Sequence, residues 1–205
     1  CGRAGQYACL ADIKLVVRGG KVISRSLSGE VESFGSENYD TAMEEAFKSD
    51  YEKVRDFNAS HVGEVKKDLV SREFYYRQCD YMNFLHALAF SAWPVDISLS
   101  ATLLIDGMVP AGEVRYQDIR KIYPYDNKLI VLRLTGAEIL RYLEASYDAW
   151  ISTVPGPAEG SHVLRITQTK DYATGGMKWK LAKSPANFDS AAGIRYTVDV
   201  TKPYG

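Results

Sequence analysis

Two tyrosines on a proline-stiffened bend are the residues of this chain best placed to hold a flat ligand. Tyr123, Pro124, Tyr125 and Asn127 occur in the sequence KIYPYDNKLIVLRL, before an apolar run. Proline fixes its own φ angle and restricts the preceding residue to extended geometry, so the bend is stiff. A rigid aromatic ring can stack on a heterocyclic base, which contributes roughly 1 to 3 kcal/mol per base, and an amide can bond to a ligand edge. The bend is therefore a candidate base-binding site.

The alternative is that both tyrosines pack on the core and leave only their hydroxyl groups at the surface, which is common for tyrosine. On the residues alone this packing interpretation is the simpler one, and both stay open at this point. Exposure of the rings separates them, because stacking needs an open ring face.

Other arrangements that could carry catalysis do not occur in the sequence. His61, His86 and His162 are far apart, and no pair has the HxxxH or HxH spacing of metal ligands. We expect His86, on a predicted helix, to be a partly buried structural residue. The patterns GxSxG, GxxxxGK[ST] and a strand-linked GxGxxG are missing, so neither a nucleophilic serine nor a phosphate-binding loop is predicted. The three cysteines form no CxxC pair, and Cys79 is expected to be a small buried apolar residue.

Composition and charge restrict the class of protein. With 205 residues, 46% of them hydrophobic and 25% charged, the chain can bury a core as one large or two small domains. The formal net charge is -1, and lysine and arginine are spread along the chain, which argues against a nucleic-acid polymer or an anionic membrane as partner. No window approaches the roughly 18 to 20 apolar residues of a spanning helix. The sequence predicts a soluble globular protein.

The first sixty residues predict a β-hairpin followed by one long helix. Residues 12–23 alternate in polarity and break at Gly19 and Gly20, a two-residue hairpin signal. The polar segment SGEVESFGSEN is typical of a connector. Apolar residues then recur at helical spacing over residues 39–58, with Thr41 and Glu44 as a capping-box pair. We interpret this helix as a linker that buries one stripe against another element.

Helices and strands then alternate. Strands are predicted near residues 62–65, 95–103 and 128–134, helices near 80–91 and 116–122, and a last strand in GIRYTVDV. Thr135 and Glu138 form a capping box that begins a further helix, with its apolar face on Ile139, Leu140, Leu143 and Tyr147. Residues 150–187 predict a long excursion with one strand near MKWKLA. The pattern indicates an α+β fold.

Three stretches of the chain resemble the bacterial 5'-nucleotidase superfamily. They are PAGEVRYQD, the YPYDN bend followed by LTGAEILRYLE, and GIRYTVDVTKP. The likeness covers nearly the whole chain and is nearest to the 2',3'-cyclic-nucleotide 2'-phosphodiesterase/3'-nucleotidases. In that family an N-terminal metallophosphoesterase domain carries a two-metal site, and a C-terminal domain supplies the nucleoside pocket. The resemblance implies an α+β domain with a mixed sheet and flanking helices, preceded by a β-hairpin and a long linker helix.

The resemblance also implies a division into three parts. Residues 1–36 would be the C-terminal tail of the metallophosphoesterase domain, residues 37–60 the linker helix, and residues 61–205 the substrate-binding domain, incomplete at its C-terminus. Cys1 would then lie inside a longer chain. Two divalent metal ions would be held by the missing upstream domain, where they activate water. Since this chain carries none of those ligands, it is expected to have no catalytic or metal-binding residue and to be inactive alone.

The resemblance assigns roles to the bend. Tyr125 matches the aromatic residue that stacks the base, Asn127 matches the amide of the same motif, and Tyr123 matches the first tyrosine of the cyclic-phosphodiesterase variant. The implied partners are a small nucleoside or nucleotide and the protein's own upstream domain. A periplasmic or extracellular location and a role in nucleotide salvage are implied as well.

One position departs from the 5'-nucleotidase pattern. Those enzymes have Asn-Gly-Gly-x-Ile-Arg in contact with the nucleotide, and an ungapped match over residues 101–106 puts Asp106 in place of the arginine. A carboxylate cannot donate to a phosphate and repels it. The cyclic-phosphodiesterase relatives also lack the motif and share Ala101, so we expect 2',3'-cyclic or 3'-nucleotides rather than 5'-nucleotides. A non-catalytic binding or scaffold module with a different ligand is the alternative.

Overall fold

The computed structural model describes residues 7–35, 40–156, 162–171 and 174–205. The chain divides into two units, Cys1–Val54 and Arg55–Gly205. Cys1 and Tyr39, for which the sequence makes predictions, lie outside the described residues.

The first unit contains the predicted hairpin. Strand β1 (Tyr7–Arg18) pairs antiparallel with β2 (Lys21–Ser33). Gly19 and Gly20 have φ angles of +56° and +74°, a left-handed pair that suits the tight turn and that residues with a side chain rarely adopt. β2 continues to Ser33 because its backbone stays paired with β1, so the prediction of a connector from residue 28 onward was wrong for its first six residues.

The predicted linker helix is helix α1 (Thr41–Asn58). The Asp40 carboxylate accepts hydrogen bonds from the backbone N–H groups of Ala42 at 3.1 Å and Met43 at 3.0 Å. Asp40 therefore caps this helix, and the capping box predicted at Thr41 was wrong by one position. The error has a simple origin, since aspartate and threonine are both good capping residues and stand side by side.

The second unit alternates helices with short antiparallel strand pairs. Its helices are α2 (Asp80–Ala92), α3 (Tyr116–Ile122) and α4 (Gly136–Asp148), with short 3-10 helices at Ser71–Tyr75 and Pro185–Asn187. Its strands are β3 (His61–Val65), β4 (Leu69–Val70), β5 (Ser98–Ala101), β6 (Met108–Val109), β7 (Gly112–Arg115), β8 (Ile166–Lys170), β9 (Met177–Leu181) and β10 (Asp189–Ala192). β3 pairs with β7, β4 with β6, β5 with β10 and β8 with β9. The predicted α+β fold is confirmed.

None of the described helices is long and apolar enough to cross a membrane. The excursion predicted over residues 150–187 contains the β8–β9 hairpin, of which only β9 was predicted from the sequence.

Two predicted strands do not form. Residues 128–134 and 194–200 belong to no strand, although their apolar residues alternate or run together. In the described part of the chain, we find no backbone hydrogen bond made by residues 128–134. A strand exists only through pairing with another strand, so side-chain pattern alone gave the wrong prediction here.

The core of the second unit consists of two buried clusters. The first holds Leu69, Cys79, Tyr81, Met82, Leu85, Val109, Val114 and Ile122. The second holds Tyr75, Trp150 and Phe188, and the rings of Trp150 and Phe188 stack with centroids 5.4 Å apart. Burial of Cys79 agrees with its predicted apolar role, and the first cluster provides the base on which the tyrosine bend is built.

His86 joins helix α2 to two strands. Its Nδ1 lies 2.9 Å from the Ser98 hydroxyl oxygen and its Nε2 lies 3.1 Å from the Ser190 hydroxyl oxygen. Burial lowers the pKa of this histidine, because the charged form is poorly solvated inside the protein. The structural role predicted for His86 is confirmed, and the residue is more deeply buried than expected.

Candidate nucleoside-binding site

The tyrosine bend begins where helix α3 ends. The Tyr123 N–H donates to the Ile119 carbonyl at 2.7 Å, which closes the last turn of the helix. The carbonyl of Ile122 accepts a short hydrogen bond from the hydroxyl of Tyr81, a residue of α2 that is 1% exposed. The first residues of the bend are therefore fixed to the core from two sides.

The three predicted site residues have different environments. Tyr123 is half-buried and packs against the first core cluster, whereas Tyr125 is 56% exposed. Within the described part of the chain, no aromatic ring lies against Tyr125. Asn127 is exposed, and its Nδ2 donates to the Tyr123 hydroxyl oxygen at 2.9 Å. The packing interpretation is therefore right for the ring of Tyr123 and wrong for that of Tyr125.

The loop 102–107 is fastened to the same core residues as the bend. The Tyr81 hydroxyl also lies 2.9 Å from the Thr102 carbonyl oxygen, so one buried side chain contacts both segments. Burial raises the pKa of Tyr81 far above its usual value, which keeps the hydroxyl proton in place. Ser71, fully buried, donates to the Ile105 carbonyl at 3.0 Å and accepts from the Gly107 N–H at 2.9 Å.

Close backbone packing adds to this connection. A Cβ atom placed on Gly107 would lie 2.5 Å from the Lys121 carbonyl oxygen, so the loop can approach α3 this closely only with glycine at that position. The sequence did not reveal Tyr81 or Ser71 as support residues, because their partners are backbone carbonyls more than 20 positions away, which leave no trace in the residue pattern.

Asp106, which stands where the 5'-nucleotidase pattern has arginine, is paired. The Nε of Arg72 donates to its carboxylate at 2.8 Å, and both side chains are exposed. In the same loop Leu103 has a φ angle of +56°, at a position where the 5'-nucleotidase pattern has glycine. The loop therefore has a left-handed backbone conformation with a side chain that fits it poorly, at a cost of about 1 to 2 kcal/mol.

A cavity of about 250 Å³ lies elsewhere, between helix α4 and residues 196–205. Leu143, Tyr147 and Tyr196 line it, and the hydroxyl oxygens of the two tyrosines are 2.8 Å apart. None of the three predicted site residues lines this cavity. Among the described residues, no group of three or more His, Cys, Asp or Glu side chains could hold a metal ion.

Comparison with known proteins connects this geometry to a family. A model of the family described as 5'-nucleotidase, C-terminal domain, matches residues 61–205. Over 95 residues, 46% of its length, the chain is 30% identical to the trifunctional nucleotide phosphoesterase protein YfkN of Bacillus subtilis (strain 168), and it spans 6% of that protein.

Solved structures are similar as well. A Staphylococcus aureus protein assigned as a 5'-nucleotidase, in complex with alpha-ketoglutarate, matches with a TM-score of 0.62 at 17% identity, over 96% of this chain and 36% of that chain. A 5'-nucleotidase precursor from Thermus thermophilus matches at 19% identity over 91% of this chain and 39% of that chain, with a TM-score of 0.42, too low to support an argument. The first match shows a common fold, and the chain spans only a minor part of each relative. Because the family model matches well over half of its residues, the chain belongs to the 5'-nucleotidase C-terminal domain family.

Proposed function

We propose that this chain is the nucleoside- or nucleotide-recognising portion of a secreted, metal-dependent phosphoester hydrolase of nucleotide salvage. The whole protein would act as a 2',3'-cyclic-nucleotide phosphodiesterase or as a 3'- or 5'-nucleotidase. Residues 61–205 bind the nucleoside, and an upstream metallophosphoesterase domain holds two divalent metal ions and cleaves the phosphoester. Residues 1–36 are the tail of that domain, residues 37–60 are the linker, and the protein is periplasmic or extracellular.

The exposed ring of Tyr125 on an anchored bend is the observation that carries this proposal. Its neighbour Tyr123 is packed on the core, and the preceding carbonyl of Ile122 is held by Tyr81, so the backbone leading to the ring has little freedom. A ring presented in this way loses little conformational entropy when a base stacks on it. Asn127, two residues further on, offers hydrogen bonds to the edge of the same base.

The pairing of Asp106 with Arg72 supports the choice among phosphoesters. A carboxylate at this position gives no donor to a 5'-phosphate, and the neighbouring guanidinium is already used to neutralise it. The site therefore fits 2',3'-cyclic or 3'-nucleotides better than 5'-nucleotides, because it asks for recognition of base and ribose without a strong anion contact at this loop.

The hairpin supports the existence of a domain partner. Side chains alternate along β1 and β2, so Ile13, Leu15 and Leu27 share one face, while Lys14 and Ser26 point to the other. The apolar residues of that face are exposed. An exposed apolar face of this length is typical of an interaction surface, and it suits packing against the rest of a metallophosphoesterase domain.

Calorimetric titration of the 205-residue chain with adenosine and 2',3'-cyclic AMP tests the proposal. We expect saturable binding, and we expect Tyr125→Ala to weaken it by roughly 1 to 3 kcal/mol, or about 5- to 150-fold, with an unchanged melting temperature. Tyr76→Ala removes another exposed tyrosine and serves as the matched control, with no expected change in affinity.

Equal affinities of the wild type and Tyr125→Ala would refute stacking on this ring. Absence of nucleoside binding in a folded wild-type chain would favour the alternative function, a non-catalytic binding or scaffold module with a different ligand. The acidic residue at 106 is the observation in favour of that alternative.

A further inference from the structure

We infer that Tyr123 is a positioning residue for base selectivity, which holds the Asn127 amide so that its oxygen is left to accept a hydrogen bond from an exocyclic amino group. The inference rests on the proposed function of the bend as a nucleoside site. It adds a preference for 6-amino purines over 6-oxo purines.

Tyr123 is a fixed point in the structure. Its ring packs against the first core cluster, its N–H is bonded to Ile119, and the carbonyl before it is bonded to Tyr81. Its hydroxyl oxygen accepts from Asn127 Nδ2 at 2.9 Å, across four positions of chain. In the described chain this is the hydrogen bond that Asn127 makes, so the orientation of its amide depends on Tyr123.

The chemistry of the amide group gives the direction of the preference. An asparagine amide has two N–H donors and one acceptor oxygen, and the bond to Tyr123 uses one donor. What remains is one acceptor beside one donor, the set that pairs with the amino group and the adjacent ring nitrogen of adenine. Hypoxanthine in the same stacked position would place its carbonyl oxygen opposite the amide oxygen, and two acceptors would face each other.

The hydroxyl of Tyr123 prevents the amide from adapting. A free asparagine side chain could turn its amide by half a rotation and accept a 6-oxo purine equally well. Here that rotation would replace the Nδ2 donor by the amide oxygen in front of Tyr123, and the bond as formed would be lost. Selectivity therefore comes from the pair, with Asn127 as the contact and Tyr123 as its support.

The test compares adenosine with inosine, which differ at the 6-position and in protonation of the neighbouring ring nitrogen. We expect the wild-type chain to bind adenosine on the order of tenfold more tightly than inosine, in line with one bidentate amide contact. Tyr123→Phe keeps the packed ring and removes only the hydroxyl. We expect it to weaken adenosine binding and to bring the ratio of the two affinities close to one.

Two further variants separate positioning from general support. Tyr147→Phe removes a hydroxyl from the other tyrosine pair, with Tyr196, and should leave the ratio unchanged. Asn127→Asp combined with Tyr123→Phe puts acceptors at both terminal atoms, so the preference for adenosine should return even without the hydroxyl. A merely structural role of Tyr123 would weaken both nucleosides equally and would not be rescued.

Each outcome decides the matter. Equal binding of adenosine and inosine by the wild type, or an unchanged ratio in Tyr123→Phe, overturns the inference and leaves the stacking proposal intact. Failure of the wild-type chain to bind either nucleoside overturns both.

Discussion

Residues 61–122 and residues 128–134 are neighbours in the sequence and differ sharply in packing. Every buried residue of the first core cluster comes from the former stretch. The latter exposes all five of its apolar side chains, and Ile130 is 74% exposed. Both stretches carry enough apolar residues to predict buried elements, so apolar content does not account for the difference.

Pairing accounts for it. The strands within residues 61–122 are short, but β3, β4 and β5 each have an antiparallel partner, and side chains of α2 pack with those of β4 and β6 in the first cluster. Residues 128–134 have the composition of a strand and no strand beside them among the described residues. An apolar run becomes core only where a second backbone accepts its hydrogen bonds and a second layer covers its side chains.

The largest effect should come from the same substitution made in both regions. Leu85→Ala removes a side chain that is 7% exposed in the first cluster, and we expect a loss of about 2 to 5 kcal/mol in the free energy of unfolding. Leu132→Ala removes one that is 70% exposed, and we expect a change within about 0.5 kcal/mol. Urea unfolding measures both, and similar losses would show that residues 128–134 are packed in solution.

Tyr81→Phe tests whether the packed region supports the bend. The change leaves the Ile122 and Thr102 carbonyls without their buried donor, so we expect a loss of about 1 to 3 kcal/mol in unfolding free energy. Tyr76→Phe, at an exposed hydroxyl, is the control and should be neutral. If Tyr81→Phe is neutral as well, the bend and the loop 102–107 are not held by this hydroxyl.

Unfolding free energy should also depend on pH through His86. Its pKa is lowered by burial, so the unfolded chain takes up the proton first as the pH falls below the ordinary histidine pKa of about 6.5. Stability is fully present above that pH and decreases below it, by at most about 1.4 kcal/mol per pH unit for one proton. His86→Gln should reduce this decrease between pH 7 and 5.5, whereas His162→Gln, at an exposed site, should leave it unchanged. The same slope in all three proteins would refute the assignment.

The smallest expected effect concerns the helix that follows the unpaired stretch. Thr135 accepts from the Glu138 N–H at 3.3 Å, and the Glu138 carboxylate accepts from the Thr135 N–H at 2.7 Å. Thr135→Ala should cost about 1 kcal/mol of unfolding free energy. Thr41→Ala should be near neutral, because Asp40 caps that helix. Thermal unfolding distinguishes the two, and a larger loss for Thr41→Ala would reverse the assignment of the cap.

Features encoded within a few residues were predicted correctly from the sequence. The Gly19-Gly20 turn, the Thr135 capping box and the bounds of α3 all depend on contacts over at most four positions. The position of Tyr125 on a bend belongs to this class, since proline acts on its immediate neighbours.

Features that depend on distant partners were missed. The support given by Tyr81 and the pairing of Arg72 with Asp106 join residues roughly 20 to 40 positions apart. The same limit explains the two predicted strands that are not formed, since alternation describes a face and says nothing about the backbone beside it.

Residues 128–134 have a practical consequence for handling the protein. Seven residues with five aliphatic side chains, no proline and no glycine have the composition of segments that assemble into cross-β fibrils. Lys128 and Arg133 are the charges that oppose such growth, in the way that natural sequences flank aggregation-prone runs with gatekeepers. Concentrated samples should therefore remain clear longest at low ionic strength, where repulsion between these two cations on neighbouring molecules is least screened.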